Sequence, residues 1–226
     1  MRHSILLLAF FGPLFSCGGP AKDEVRHPSP SPPPAAQQSA PADTRPVIVA
    51  FGDSLSAGYG LEPGLSYPDF LQKNLDAAGY SYRIVNEGIS GDTSSGGLER
   101  VPSVLAHKPA IVILELGAND GLRGIPVAQT RDNLDQILTQ LKASGASVLL
   151  AGITLPRNYG ELYIRDFDRI YPGLAAKHGV PRLPFLLEGV VLNPKLMQRD
   201  ALHPTAEGCR IVARNVFTAL QPLLKK

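Results

Sequence analysis

The stretch Val47-Ile48-Val49-Ala50-Phe51-Gly52-Asp53-Ser54 decides how this chain folds. Its first five residues form a continuous apolar run rich in Val and Ile, which is typical of a strand buried on both faces of a parallel sheet. Similar runs occur at 110–116 and 147–153, and a mixed one at 82–89. Helical patterns separate these runs. The alternation predicts an α/β sandwich around a mainly parallel central sheet.

Capping residues and apolar periodicity predict three of the intervening helices. The first begins after Ser66 and ends at Gly79, the second has Pro126 in its first turn and ends at Gly145, and the last follows Thr205 and runs to about residue 220. Inward positions of the first two helices are spaced three or four residues apart: Leu71, Leu75 and Ala78, then Leu134, Ile137, Leu138 and Leu141.

Residues 1–46 show the pattern of an export segment followed by a spacer. Ile5 to Phe15 is an apolar run of 11 residues, whereas a membrane span needs about 20, so the run fits a signal peptide. It ends in Ser16-Cys17, which resembles the lipobox of bacterial lipoproteins. We therefore expect a lipoprotein-type signal peptide over 1–17 with Cys17 lipidated. The alternative is a plain secretory signal, with Cys17 incidental.

The spacer is residues 18–46, which hold eight prolines among Ser, Ala and Gln. This composition predicts a disordered linker and leaves 47–226 as the folded domain. In either signal-peptide interpretation the protein is exported, and we expect it in the periplasm of the bacterial cell envelope. If Cys17 is lipidated, the lipid holds the protein to the membrane, which is the arrangement we expect.

Composition argues against two classes of function. Hydrophobic residues make up 44% and charged residues 19% of the chain, and its net charge is only +2, which disfavours a nucleic-acid partner. With five histidines, two cysteines and no zinc-helix His pair or C-x-x-C, no metal or cofactor is predicted. Cys209 shares a helical pattern with Val212 and Val216, which favours a buried apolar thiol.

Ser54 is the first candidate for chemistry because it directly follows the first strand. In open α/β sheets, ligands bind outside the carboxyl ends of the strands. The G-x-S-x-G spacing of the α/β-hydrolase elbow is absent. By itself, Gly-Asp-Ser is better interpreted as a turn whose polar side chains bond backbone amides.

Two further segments follow neighbouring strands. Gly91 lies in Ile89-Ser90-Gly91-Asp92-Thr93, and Asn119 lies in Gly117-Ala118-Asn119-Asp120. The backbone N–H groups of Ser54 and Gly91, with the Asn119 amide, would supply three donors to a developing oxyanion. The alternatives are an ordinary turn glycine and a turn-capping asparagine.

The fourth segment is Asp200-Ala201-Leu202-His203-Pro204. A serine hydroxyl needs a base to take its proton, and a carboxylate on the other ring nitrogen orients the imidazole. Asp200 and His203 supply both groups on one loop. Taken alone, this segment is also typical of a solvated loop before a helix.

Together, the four segments resemble the four sequence blocks of the GDSL, or SGNH, hydrolases, in order. The resemblance extends over 47–224 and includes 119–124, 155–160 and 180–187, which are similar to the multifunctional acyl thioesterase, arylesterase and lysophospholipase members. It implies the SGNH hydrolase fold, an α/β fold that is a flavodoxin-like three-layer sandwich with a mainly parallel central sheet. It also implies Ser54 as nucleophile, Asp200 and His203 as relay and base, and an oxyanion hole made by Ser54, Gly91 and Asn119.

The implied activity is that of a serine esterase that cleaves aryl esters, acyl thioesters and lysophospholipids through an acyl-enzyme, without a cofactor. We expect the protein to be a monomer. Leu122, Arg123, Gly124 and Ile125 resemble a mobile loop that covers the acyl chain, and Leu155 is a further candidate wall residue. An ordinary surface loop is the alternative at 122–125. Asp53 and Asp120 are expected to brace the loops.

Two other functions fit the same residues. One is an O-acetyl esterase acting on peptidoglycan or surface polysaccharide, for which a broad polar cleft is expected. A narrow apolar groove near Leu122 and Leu155 would instead favour acyl chains. The other is a non-catalytic envelope lipoprotein, although the retained serine and histidine disfavour it.

Overall fold

A computed structural model describes residues 43–226 of the chain. The predicted signal peptide, Cys17 and almost all of the predicted linker lie outside the described residues. The central sheet has the strands β1 (Val47–Gly52), β2 (Arg83–Gly88), β3 (Ile111–Glu115), β4 (Ser147–Ala151) and β5 (Arg182–Leu183). Their order is β2-β1-β3-β4-β5, and every neighbouring pair is parallel. This is the flavodoxin-like order, so the predicted parallel α/β fold is confirmed.

The helices follow the strands in alternation. They are α1 (Ser54–Ala57), α2 (Tyr67–Ala77), α3 (Ser94–Glu99), α4 (Val101–Ala106), α5 (Ala118–Leu122), α6 (Val127–Ala143), α7 (Glu161–Asp168), α8 (Ile170–His178) and α9 (Ala206–Leu220), with 3₁₀ turns at Arg157–Tyr159 and Gln221–Leu223.

The three helices predicted from capping residues and apolar periodicity correspond to α2, α6 and α9. Ser66 caps α2 with a full capping box, and Thr205 caps α9. The predicted position of Pro126 in the first turn is wrong by one residue, because Pro126 has ψ 128° and immediately precedes α6. Gly79 and Gly145, at φ 75° and 88°, follow α2 and α6 closely in the left-handed conformation that glycine accepts.

Burial explains why the sheet lies at the centre. Every residue of β1 and β3 is buried, whereas β2, at the edge, is only half-buried. Because β1 and β3 are buried on both faces, helices must cover both sides of the sheet. On these surfaces α2 packs against α9, and α6 packs against α3, α4 and α8. This architecture brings the carboxyl ends of β1, β2 and β3 to one edge.

Helix α3 was not predicted, because its sequence Ser-Ser-Gly-Gly-Leu-Glu has poor helix propensity. Its glycines are required by close packing. A Cβ at Gly97 would lie 2.2 Å from Leu116 Cδ1, and one at Gly96 would lie 2.1 Å from Asp92 Oδ1. Tertiary packing therefore overrides local propensity here.

Among residues 43–226, no helix is long and apolar enough to cross a membrane.

Candidate active site

The candidate nucleophile lies on a tight strand-to-helix turn. β1 ends at Gly52, and Asp53 caps the single-turn helix α1 by accepting a hydrogen bond from the Leu55 N–H at 3.0 Å. Ser54 is the first residue of α1. Gly58 ends the helix at φ 78°, in the left-handed region. The Ser54 side chain is thus held at the carboxyl edge of the sheet, on rigid elements.

A hydrogen-bonded chain joins Ser54 to the other two predicted residues. His203 Nε2 lies 2.8 Å from Ser54 Oγ, and His203 Nδ1 lies 2.6 Å from Asp200 Oδ2. With Nδ1 donating to the carboxylate, Nε2 is free to accept the serine proton. Residues that are 149 positions apart in the chain are thereby brought into the geometry of a serine hydrolase triad.

Asp200 is fixed by three donors. Besides the imidazole, the backbone N–H groups of Leu202 and His203 each donate to Asp200 Oδ1 at 3.0 Å. Burial raises the pKa of Asp200, but the hydrogen bonds from His203 and Leu202 outweigh it and lower that pKa to about 2. The loop closes so tightly that Ala201 takes a left-handed φ of 55°. Asp200 is therefore a carboxylate throughout the neutral range.

Two residues that the sequence analysis missed secure the histidine. The Tyr59 ring packs against the His203 ring with 4.5 Å between centroids. The Gln198 side-chain amide donates to Tyr59 O at 2.7 Å and to Pro204 O at 2.9 Å. The Gln198 backbone N–H donates to His203 O at 2.7 Å.

Gln198 thus ties the loop of the base to the loop that follows the nucleophile. The Tyr59 carbonyl, which accepts from the Gln198 side chain, belongs to a residue 139 positions away in the chain. Local sequence patterns carry no signal for such a contact.

The predicted oxyanion loop is held in place from two sides. Gly91 has a left-handed φ of 81°, and its carbonyl accepts from Arg123 Nη2 at 2.8 Å. Arg100 Nε donates to Asp92 Oδ2 at 2.6 Å and Arg100 Nη2 donates to Gly52 O at 2.8 Å. These contacts fix Gly91 relative to the end of β1, where Ser54 lies.

Asn119 reaches the same place from the start of α5. Its amide nitrogen donates to Asp92 O at 2.9 Å and to Asp53 Oδ2 at 3.1 Å. Because an amide nitrogen carries two hydrogens, Asn119 can donate to an oxyanion only by sharing or exchanging one of these bonds. Within residues 43–226, the backbone N–H groups of Ser54 and Gly91 have no acceptor, which leaves both available to a ligand.

These groups line one cavity of about 690 Å³. Ser54, Gly91, Asn119 and His203 are all in its wall. The rest of the wall is largely apolar and includes Leu122, Ile153, Leu155, Phe185, Leu187, Val191, Met197 and Leu202. This largely apolar lining suits an acyl chain better than a sugar.

The loop predicted to cover the acyl chain contributes only in part to this wall. Of its residues, Leu122 lines the cavity, whereas Arg123, Gly124 and Ile125 do not. Arg123 instead acts indirectly through its bond to Gly91 O. Tyr163 Oη donates to Ile125 O at 2.6 Å, which ties this loop to α7.

Asp53 and Asp120, expected to brace the loops, are both buried. Asp120 accepts from the Ser94 N–H at 2.8 Å and from the Thr130 hydroxyl at 3.3 Å. Asp53 joins the Ser54 turn to Asn119, as described above. The bracing prediction agrees with both sets of contacts.

Asp53 has a second buried acid beside it. Glu115, the last residue of β3, is completely buried, and its Oε2 accepts from the Asp53 N–H at 3.2 Å. Burial raises the pKa of Asp53 to about 6. Burial, together with the charge of the neighbouring Asp53, raises the pKa of Glu115 well above its ordinary value. Glu115 therefore keeps its proton to a higher pH than an ordinary glutamate does.

This pair predicts a pH dependence of stability. The folded protein holds protons on Asp53 and Glu115 at pH values where the unfolded chain has lost them, so their contribution to the free energy of unfolding falls as pH rises above about 4.5. Glu115→Gln cannot titrate at this position. We expect wild type to lose stability relative to this variant by up to about 1.4 kcal/mol per pH unit for the proton on Glu115.

Urea unfolding of both proteins between pH 5 and 8 measures the effect. A difference in unfolding free energy that stays constant over this range would contradict the raised pKa of Glu115.

Among the described residues, no cluster of three or more His, Cys, Asp or Glu side chains is arranged to hold a metal ion. Cys209 is buried in α9, as its helical pattern predicted. Burial raises the pKa of its thiol to about 11, which makes it a poor nucleophile at neutral pH.

A serine, a histidine and a carboxylate joined by hydrogen bonds at the edge of a parallel sheet are typical of a hydrolase. The chain belongs to the GDSL-like Lipase/Acylhydrolase family, whose sequence profile matches residues 50–211. It is accordingly an enzyme and a serine esterase, and the alternative of a non-catalytic envelope lipoprotein is set aside.

Characterised relatives are similar over most of the chain. Esterase TesA of Pseudomonas aeruginosa is 47% identical over 83% of this chain and 92% of its own length. Thioesterase 1/protease 1/lysophospholipase L1 of Escherichia coli is 44% identical over 83% of this chain and 88% of its own length. Among solved structures, the psychrotrophic esterase EstA from Pseudoalteromonas sp., inhibited by monoethylphosphonate, superposes with a TM-score of 0.75 at 32% identity, covering 78% of this chain and 97% of EstA.

Proposed function

We propose that this esterase hydrolyses carboxylic esters and thioesters of acyl chains, with Ser54 as nucleophile, His203 as general base and Asp200 as its partner. The observation that carries the proposal is the continuous chain of hydrogen bonds from Asp200 through His203 to Ser54, at the wall of an apolar cavity.

In the first half of the reaction, His203 Nε2 takes the proton as Ser54 Oγ attacks the substrate carbonyl. The negative charge that develops on the carbonyl oxygen is stabilised by the N–H groups of Ser54 and Gly91 and by the Asn119 amide. The imidazolium formed on His203 is stabilised by the Asp200 carboxylate, and it then gives its proton to the departing alcohol or thiol. An acyl-enzyme on Ser54 remains.

In the second half, water replaces the leaving group. His203 takes a proton from the water, which attacks the acyl carbonyl, and the same three donors stabilise the second oxyanion. Collapse of this intermediate returns the proton to Ser54 Oγ and releases the carboxylic acid. Apart from this water, the steps require no group beyond the chain's own residues.

The substrate class rests on the cavity wall and on the relatives. Leu122 and Leu155 contribute to an apolar wall beside Ser54, which favours burial of an acyl chain over binding of a polar sugar. The E. coli relative is named as both a thioesterase and a lysophospholipase. We therefore propose aryl esters, acyl thioesters and lysophospholipids as substrates.

A hydrolysis panel tests this substrate class. We expect kcat/KM for p-nitrophenyl esters to rise as the acyl chain lengthens from two carbons to medium length, because each buried CH₂ contributes about 0.8 kcal/mol. Matched acyl-CoA thioesters and lysophosphatidylcholine should be cleaved as well. Activity confined to acetyl esters, with faster cleavage of O-acetylated peptidoglycan or polysaccharide, would instead favour the O-acetyl esterase alternative.

Asn119→Ala tests the oxyanion hole. Removing one donor of this kind costs about 10²–10³ in kcat, and we expect a loss at the lower end because Asn119 already shares its hydrogens with Asp53 and Asp92. KM should stay near its wild-type value, since the bond strengthens in the transition state. A large rise in KM with unchanged kcat would reject this role. Gln140→Ala, an exposed change on α6, is the matched control for loss of a side-chain amide.

We further propose that residues 1–17 export the protein to the cell envelope, that Cys17 carries a lipid anchor and that 18–46 tethers the 47–226 domain to the membrane. The apolar run before Ser16-Cys17 and the proline-rich composition that follows support this organisation. Metabolic labelling with palmitate should mark the wild-type protein and leave Cys17→Ser unmarked. Equal labelling of both would contradict the anchor.

A further inference from the structure

Beneath the nucleophile turn lies a polar group that the reaction as described leaves unused. Glu115 ends β3 as a single carboxyl within an otherwise apolar strand. Its Oε2 accepts hydrogen bonds from the Asp53 N–H at 3.2 Å and from the Ser56 hydroxyl at 2.9 Å. The Tyr67 hydroxyl lies 3.1 Å from Ser56 Oγ and extends this network.

The backbone is shaped to admit this carboxyl. Gly52 is the neighbour of Glu115 across the β1–β3 ladder. A Cβ at Gly52 would lie 2.5 Å from Glu115 Oε2 and 2.1 Å from Ser56 Oγ. Glycine at 52 is therefore needed because the Glu115 carboxyl and the Ser56 hydroxyl occupy the space above it.

Burying Glu115 is costly. Its Oε1 has no hydrogen-bond partner among residues 43–226, and an unsatisfied buried polar atom destabilises a fold. An apolar side chain at this position would avoid that cost. The contacts that Glu115 gains in return all lie on the turn around Ser54.

We propose that Glu115 is a positioning residue, which holds Ser54 in its reactive place by bonding the residue before it and the second residue after it. This inference rests on the proposed function, since it concerns the same nucleophile. The two bonds fix the Asp53 backbone and the Ser56 side chain, and Ser54 lies between these two residues in the chain. Small displacements of a reacting group have large effects on rate.

The Glu115 carboxyl also affects the task that Asp53 performs. Two adjacent buried carboxyls cannot both ionise readily, and burial raises the pKa of both Asp53 and Glu115. The groups around the Glu115 carboxyl include Asp53, Ser56, Tyr67 and Tyr171, and all four are neutral or acidic. With the proton on Glu115, Asp53 keeps the charge that orients the Asn119 amide.

Two substitutions at Glu115 test the proposal. Glu115→Gln retains a carbonyl oxygen that can accept both bonds, so kcat for p-nitrophenyl butyrate should stay within about threefold of wild type. Glu115→Leu removes both bonds, and we expect kcat to fall about 10²-fold with KM within about twofold, as for a displaced reacting group. Leu141→Ala, in the buried face of α6, provides a destabilised control whose kcat should not change while it is folded.

Near-UV circular dichroism and urea unfolding establish that each variant is folded in the assay. A folded Glu115→Leu with wild-type kcat would overturn the positioning role, and so would a Glu115→Gln as impaired as Glu115→Leu. If Glu115→Leu does not fold, the Gln variant and Ser56→Ala, which loses one of the two bonds, decide the matter by the same kcat criterion. Ser54→Ala separates the two proposals: its full activity would overturn the proposed function, whereas its inactivity beside an unimpaired Glu115→Leu would overturn the positioning role alone.

Discussion

Ser54→Ala should lower kcat/KM for short p-nitrophenyl esters by about 10⁵-fold or more, as loss of the nucleophile does in other serine hydrolases. The serine hydroxyl is the only group that forms the acyl-enzyme in the proposed reaction, and its Oγ lies 2.8 Å from His203 Nε2. Removing one oxygen atom should leave the fold intact, because β1 and α1 are held by backbone bonds and by the Asp53 cap.

Ser103→Ala is the matched control for this prediction. Ser103 lies on the exposed side of α4, away from the cavity, and its replacement should leave kcat/KM unchanged. A folded Ser54→Ala that keeps most of the wild-type activity would reject Ser54 as nucleophile.

Asp200→Asn should lower kcat by about 10³-fold or more with little change in KM, in line with the loss of the carboxylate from other triads. The Asp200 carboxylate accepts hydrogen bonds from the imidazole and from two backbone N–H groups. An asparagine has one acceptor oxygen in place of two and no negative charge. It therefore stabilises the imidazolium poorly and favours the wrong tautomer of His203.

Asp132→Asn, an exposed change on α6, controls for loss of a surface carboxylate and should be silent. An Asp200→Asn variant that retained more than about a tenth of wild-type kcat would show that the carboxylate has a smaller part than proposed. In that case the Tyr59 ring and the Gln198 bonds would be the main constraints on His203.

The fold could be predicted because burial on both faces of a parallel sheet leaves a visible pattern in the sequence. Continuous apolar runs marked β1, β3 and β4, and the caps Ser66 and Thr205 marked two helix starts. The short strand β5 and the glycine-rich α3 were missed. Both are held by tertiary contacts, which leave no periodic pattern.

The site could be predicted where each functional residue stands in a short motif after a strand or before a helix. Ser54, Gly91, Asn119 and His203 all line one cavity, as expected from parallel strand ends that share an edge. Tyr59 and Gln198 could not be predicted, because they act through contacts between distant segments. Glu115 carried a signal that was overlooked, since it is a charged residue within an apolar strand.

Covalent trapping of Ser54 tests the central claim most directly. The EstA relative is inhibited by monoethylphosphonate, and a fluorophosphonate ester should react in the same way with this protein. Peptide mass spectrometry should then find one phosphonyl group per chain, on Ser54, with labelling abolished in Ser54→Ala and strongly slowed in His203→Ala. A folded protein that resists the reagent, or one that carries the adduct on another residue, would contradict the account.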